Sequence, residues 1–175
     1  MRITLSIPLA LLLSVPLIAC DGGSTTNPGA SSSTAGVALF RLADVDGDEV
    51  EVTTVAGGRT ILAFWATWCQ PCQSELTKLD GLYADLASRG LMIYAINVDD
   101  PSTASQVGSW VAREGYRFPV LLDAESQILA RYHPRKEVPF YVVLDGDARV
   151  VEDHQGYTPG DIDALRTRLE QALSQ

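Results

Sequence analysis

The chain has 175 residues, 46% of them hydrophobic and 20% charged, enough for one well-buried core and, by size, one catalytic domain. Its 13 Lys and Arg against 22 Asp and Glu give a formal charge of -9. That balance excludes the clustered cationic surface that phosphate binding requires, so no nucleic-acid partner is expected.

In chain order, Arg2 precedes an apolar run from Ile3 to Ala19 that Pro8 and Pro16 interrupt. The run falls short of the ~20 residues that span a bilayer and reads as a cleavable signal peptide over 1–19. Leu17-Ile18-Ala19-Cys20 resembles the bacterial lipobox, which implies Cys20 as the lipid attachment site and Asp21 as an inner-membrane retention signal. A secreted protein with a spare thiol, or an uncleaved anchor, is the alternative. Residues 20–36, rich in Ser, Thr, Gly and Asn, read as the anchor and a flexible tether, and 37–175 as the folded domain.

Apolar residues alternate from Phe40 to Val55 around Asp46-Gly47-Asp48, which predicts a hairpin. Thr60 to Ala66 reads as a buried strand. Leu76, Leu79, Leu82, Tyr83 and Leu86 recur at helical spacing up to a stop at Gly90, and Leu91 to Val98 is a second buried strand. Asp100-Pro101 predicts a helix start, with Val107, Trp110 and Val111 as its stripe. Phe118 to Leu122 and Phe140 to Leu144 read as strands, the latter joined to Arg149–Gln155 through the Asp145-Gly146-Asp147 turn. Ile162, Leu165, Leu169 and Leu173 define a last helix after Pro159 and Gly160. The order predicts an α/β fold with a central mixed sheet, helices on both faces and an N-terminal hairpin extension.

The string Phe64-Trp65-Ala66-Thr67-Trp68-Cys69-Gln70-Pro71-Cys72 falls where a strand gives way to a helix. Unpaired N–H groups and the positive end of the helix dipole stabilise a thiolate there, lowering its pKa from ~8.5 toward neutrality. At this spacing one sulfur can attack a partner disulfide and the other can resolve the mixed disulfide. A zinc site would have only Cys69, Cys72, His133 and His154 besides Cys20, at a spacing that fits no common finger, and no metal is expected. Haem attachment would need His where Gln73 stands. A structural disulfide would close too small a loop to gain much entropic stabilisation. Glu75, three residues beyond Cys72, reads either as a general base for that thiol or as an ordinary acid in a first helical turn.

Trp-Cys-x-Pro-Cys after an apolar strand resembles the thioredoxin superfamily signature, and Phe64 through Glu75 is similar to its TlpA/ResA-type extracytoplasmic disulfide reductases. The resemblance implies a thioredoxin-like fold, with Cys69 as exposed nucleophile, Cys72 as buried resolving thiol and Glu75 as proton acceptor for Cys72. It also implies a cis proline at Val138-Pro139, and a substrate surface formed by Trp68, Gln70, Pro71, Val138 and Pro139. Trp65 and Trp110 read as core residues, and His133 and His154 as plain polar surface or loop residues. Ala63 and Ala95 stand where cytoplasmic thioredoxins bury a carboxylate and its lysine neighbour. Glu137 and Phe140 replace the glycine and threonine of many relatives, which leaves partner specificity open. The implied activity is disulfide reduction in extracytoplasmic proteins, extending to cytochrome c maturation, on the periplasmic side of the cell membrane. Electrons would come from a membrane thiol donor, and the only cofactor would be the redox-active disulfide. A thiol peroxidase and a copper-handling chaperone are the alternatives on the same fold.

Overall fold

The computed structural model describes residues 35–174. The expected signal peptide, the expected lipid attachment site Cys20 and the expected tether as far as residue 34 lie outside the described residues. Strand β1 (Ala35–Ala43) pairs antiparallel with β2 (Glu49–Val55), so the hairpin begins five residues ahead of the expected Phe40, and the folded domain takes in Ala35 and Gly36 from the end of the expected tether. Gly36 is required by close approach, since a Cβ there would stand 2.1 Å from Thr54 Oγ1. At the tip, the Asp44 carboxylate accepts the N–H groups of Asp46 and Asp48, a short-range cap that sets the turn.

The remaining strands are β3 (Arg59–Trp65), β4 (Leu91–Asn97), β5 (Val120–Leu122), β6 (Phe140–Leu144) and β7 (Val150–Gln155). They form one sheet in the order β5-β4-β3-β6-β7. β3 runs parallel to β4 and antiparallel to β6, which makes the sheet mixed as expected. Because β3 and β4 are covered on both faces, they read as continuous apolar runs. Alternation then splits β3: Ile61, Ala63 and Trp65 enter one core, Leu62 and Phe64 the other.

The helices are α1 (Gln70–Leu86), α2 (Ala104–Glu114), α3 (Gln127–Tyr132) and α4 (Asp161–Ala172). The first core takes Leu76, Leu79 and Leu82 from α1, Val107 from α2, and Ile162, Leu165 and Leu169 from α4. The second is closed by Val52 of the hairpin and by Ile128 and Leu129 of α3. Helices therefore lie on both faces, unequally, with the hairpin completing the cover that the six-residue α3 cannot provide alone.

Two expectations shift. α2 begins at Ala104 rather than at Pro101, because the Asp100 carboxylate accepts the Ser102 N–H and hydroxyl and closes a separate turn first. β5 covers only 120–122 of the expected 118–122; Pro119 just before it offers only a carbonyl, which accepts the Ala95 N–H at 3.0 Å.

Candidate functional site

After Trp65 the chain makes a tight turn over residues 66–69, closed by the Cys69 N–H donating to the Ala66 carbonyl at 3.1 Å. Cys69 is the N-cap of α1, with extended backbone, and Pro71 sits in the first turn where its missing N–H costs nothing. The Cys69 sulfur accepts the Cys72 N–H at 3.3 Å and is bonded to the Cys72 sulfur, the two Cα atoms being 5.3 Å apart. A sulfur thus occupies the place of a capping oxygen, at the positive end of a 17-residue helix.

Cys72 is fully buried, as expected. Cys69 departs from the expected exposed position, at 5% exposure, because its side chain turns in to cap the helix and bond Cys72. What the site presents to solvent is Trp68, 70% exposed, together with Gln70 and Pro71. Trp65 is buried against the half-buried Trp110, ring centroids 4.7 Å apart. A groove of about 580 Å³ beside Trp68 is lined by Thr67, Gln73, Gln106, Ser109 and Trp110 among others.

Glu75 is 1% exposed, and neither carboxyl oxygen has a hydrogen-bond partner. Burial above all, with the Asp161 carboxylate adding to it, pushes its pKa from the ordinary carboxyl value up to about 8. A carboxyl of that kind can take or give a proton near neutrality. Asp161 itself accepts the Thr158 hydroxyl and N–H, which hold its pKa below the ordinary range, and pairs with His154 Nε2 at 3.2 Å. His154 is therefore tied into this corner rather than plain surface. His133 is half-buried, stacked on Phe140 at 4.5 Å, and also departs from the surface reading. Ala63 and Ala95 pair directly across β3 and β4, both buried, with no carboxylate or amine between them.

The Val138-Pro139 bond is cis. Val138 packs on the core cluster that contains Cys69 and Cys72. The Pro139 carbonyl is taken by the Gly156 N–H and the Gln155 amide, whereas the Val138 N–H and carbonyl have no hydrogen-bond partner among the described residues. Two residues of this region escaped the sequence reading. Asp99 is buried and accepts the Thr67 N–H, and Gln73 donates to the Thr67 carbonyl at 2.8 Å. The only sequence signal was an Asp directly after a buried strand, which by itself fits any loop.

The sheet order, the hairpin extension and a cysteine pair capping the first long helix define a thioredoxin-like protein. The chain belongs to the AhpC/TSA family, whose model matches residues 35–161. It is 32% identical over 113 residues to the thiol-disulfide oxidoreductase ResA of Bacillus thuringiensis, covering 65% of this chain and 64% of that one. The match to ResA of Bacillus subtilis is also 32% identical over 113 residues, covering 65% and 62%. The chain thus spans a little under two thirds of the length of these relatives. Among solved structures, the thiol:disulfide interchange protein DsbE of Chlorobium tepidum aligns with TM-score 0.66 at 26% identity, over 79% of this chain and 97% of that one. No helix of the described residues is long and apolar enough to cross a membrane.

Proposed function

We propose that the chain is an extracytoplasmic thiol-disulfide oxidoreductase that reduces disulfides in protein clients through Cys69 and Cys72. The observation that carries this reading is the Cys69 sulfur standing as N-cap of α1 beside a fully buried Cys72. In the reduced state, helix N–H groups stabilise the Cys69 thiolate. That thiolate attacks one client sulfur, forming a mixed disulfide and releasing the other client sulfur. Glu75 takes the Cys72 proton, and the Cys72 thiolate then attacks the Cys69 sulfur. The client sulfur bonded to Cys69 is displaced, leaving both client sulfurs reduced, and the Cys69-Cys72 disulfide carries the two electrons' worth of oxidation. A membrane thiol donor reduces it again, and no further cofactor takes part. The names of the ResA and DsbE relatives support this chemistry.

The free backbone of Val138 offers a client segment strand-like pairing beside the cysteines, with Trp68, Gln70, Pro71 and Pro139 as further contacts. The absence of His at Gln70 and Pro71 favours a reductant over an oxidant, and the resemblance carries apocytochrome c as the client class. Anchoring through a lipid on Cys20 would hold the domain at the periplasmic face of the membrane.

Client trapping tests the division of labour. Cys72→Ser should accumulate mixed disulfides with client proteins, whereas Cys69→Ser should capture none; equal trapping by both would overturn the roles. Direction is read from the Cys69-Cys72 potential. A value well below the glutathione couple fits a reductase, about 30 mV corresponding to about 1.4 kcal/mol, and one well above it fits an oxidase. Steady peroxide consumption would favour the thiol peroxidase reading, and stoichiometric Cu(I) binding the chaperone.

A further inference from the structure

Under the turn that delivers Cys69 lies a second buried carboxylate, which no step above uses. Asp99 follows β4 and is 0% exposed, and both its oxygens face the Thr67 N–H, at 3.0 and 3.3 Å. Its own N–H donates to Asn97 Oδ1 at 3.0 Å, and the neighbouring Val98 N–H donates to the Trp65 carbonyl at 2.9 Å. Trp65 and Asn97 are register partners at the ends of β3 and β4. Asp99 is therefore fixed to the rigid end of the sheet. The Thr67 carbonyl is held from the other side by Gln73 of α1.

The turn 66–69 is thus clamped at Thr67, with its N–H held from the sheet and its carbonyl from the helix. Charge does not explain this arrangement. No Lys or Arg among the described residues pairs with Asp99. A carboxylate sealed from water without a cation is costly, and its charge opposes ionisation of a nearby thiol. What the carboxylate supplies is a rigid acceptor two residues ahead of the capping sulfur. Stabilisation of a thiolate by helix N–H groups falls off within the first turn, so it depends on where that sulfur is held.

We propose that Asp99 is a positioning residue that, through the Thr67 N–H and with Gln73 as its counterpart, fixes Cys69 in the N-cap place of α1. The inference rests on the reading of Cys69 as the attacking thiol. It adds to that reading a group on a different element that sets where the thiol stands.

The experiment is the pH profile of Cys69 alkylation in the reduced full chain, for wild type and for Asp99→Asn and Asp99→Ala. Both substitutions remove the charge, so its effect cancels between them; they differ in whether an acceptor remains for Thr67. The Asp99→Ala midpoint should lie about one pH unit above that of Asp99→Asn, about a tenfold loss of thiolate at neutral pH. Coincident midpoints in the two folded variants would overturn the proposal. If Asp99→Ala does not fold, Gln73→Leu decides from a half-buried position: a raised midpoint supports the clamp and an unchanged one overturns it. Wild type separates this from failure of the parent reading. Sluggish, equivalent cysteines there would remove the proposed function itself, whereas a fast Cys69 that the variants do not move removes only the role of Asp99.

Discussion

At the scale of single residues, Glu75 is the group whose environment says most. A carboxyl three residues after Cys72 shares its helix face, and here it is enclosed with no hydrogen bond to either oxygen. A structural acid would be paired or solvated; this one is left to protons. Glu75→Gln removes the proton acceptor at nearly constant volume. It should slow resolution of a mixed disulfide on Cys69 on the order of 10²-fold at neutral pH, with capture by Cys69 unchanged, as read by single-turnover reduction of a model disulfide. Equal slowing of both steps would mean that the carboxyl supports the fold rather than the proton transfer. The position of Glu75 was legible from spacing alone. Its environment was not, because the groups close enough to act on it, such as Tyr141 of β6 and Asp161 of α4, come from elements more than 60 residues away in the chain.

At the scale of elements, periodicity found what long apolar patterns write. β3, β4, β6, α1 and α4 stand within a residue or two of their expected ends, or extend the expected stripe to a cap, because burial on one or both faces fixes those patterns. α3 was missed. It has only six residues, Ser126 before it takes a left-handed conformation, and its cap acts from a distance: the Asp123 carboxylate accepts the N–H groups of Gln127, Ile128 and Leu129, each at 2.9 Å. No nearest-neighbour signal announces a cap of that reach. Asp123 is buried, so Asp123→Ala leaves three amides without an acceptor and loosens the helix that sets Ile128 and Leu129 on the second core. Unfolding by urea should show a loss of about 2 kcal/mol, with Asp123→Asn recovering part of it. A neutral result for Asp123→Ala would mean that α3 is held by packing alone.

The connection between β3 and β4 shows the same contrast within one element. Gly90 was expected as a stop, and it adopts φ 100° to end the 3-10 turn Ala87–Arg89 that follows α1. Its carbonyl accepts the Arg59 N–H at 3.0 Å, so the same residue that ends the helix also starts the β3 ladder. A side chain at that φ is strained, and Gly90→Ala should lower stability by about 1 kcal/mol in the same urea titration, leaving Cys69 alkylation as it was. A coupled loss of thiol reactivity would show that strain at this end of the sheet travels to the cysteine end.

For the whole molecule, pH acts on stability through opposing groups. Asp161, held by Thr158 and His154, has a lowered pKa; its contribution is present above the unfolded Asp value and is lost as pH falls through the folded one. Glu75 acts with the other sign. Its folded pKa of about 8 lies above the 4.5 of the ordinary carboxyl, so between those values the unfolded chain has released a proton that the folded chain keeps. Bound protons then number fewer in the unfolded state, and stability must fall as pH rises across that window. Below pH 4.5 both states hold the proton and the penalty vanishes; above about 8 both have lost it and the penalty is constant. At neutral pH it amounts to about 3 kcal/mol, a large part of a domain's net stability. The oxidised protein, compared with its Glu75→Gln variant by urea unfolding at a series of pH values, isolates this group from every other carboxylate. The stability difference between the two should be flat below pH 4.5 and should grow in favour of the variant up to about pH 8. A difference that does not change with pH would place Glu75 in contact with water, and with that remove the physical basis for its role as a proton acceptor near neutrality.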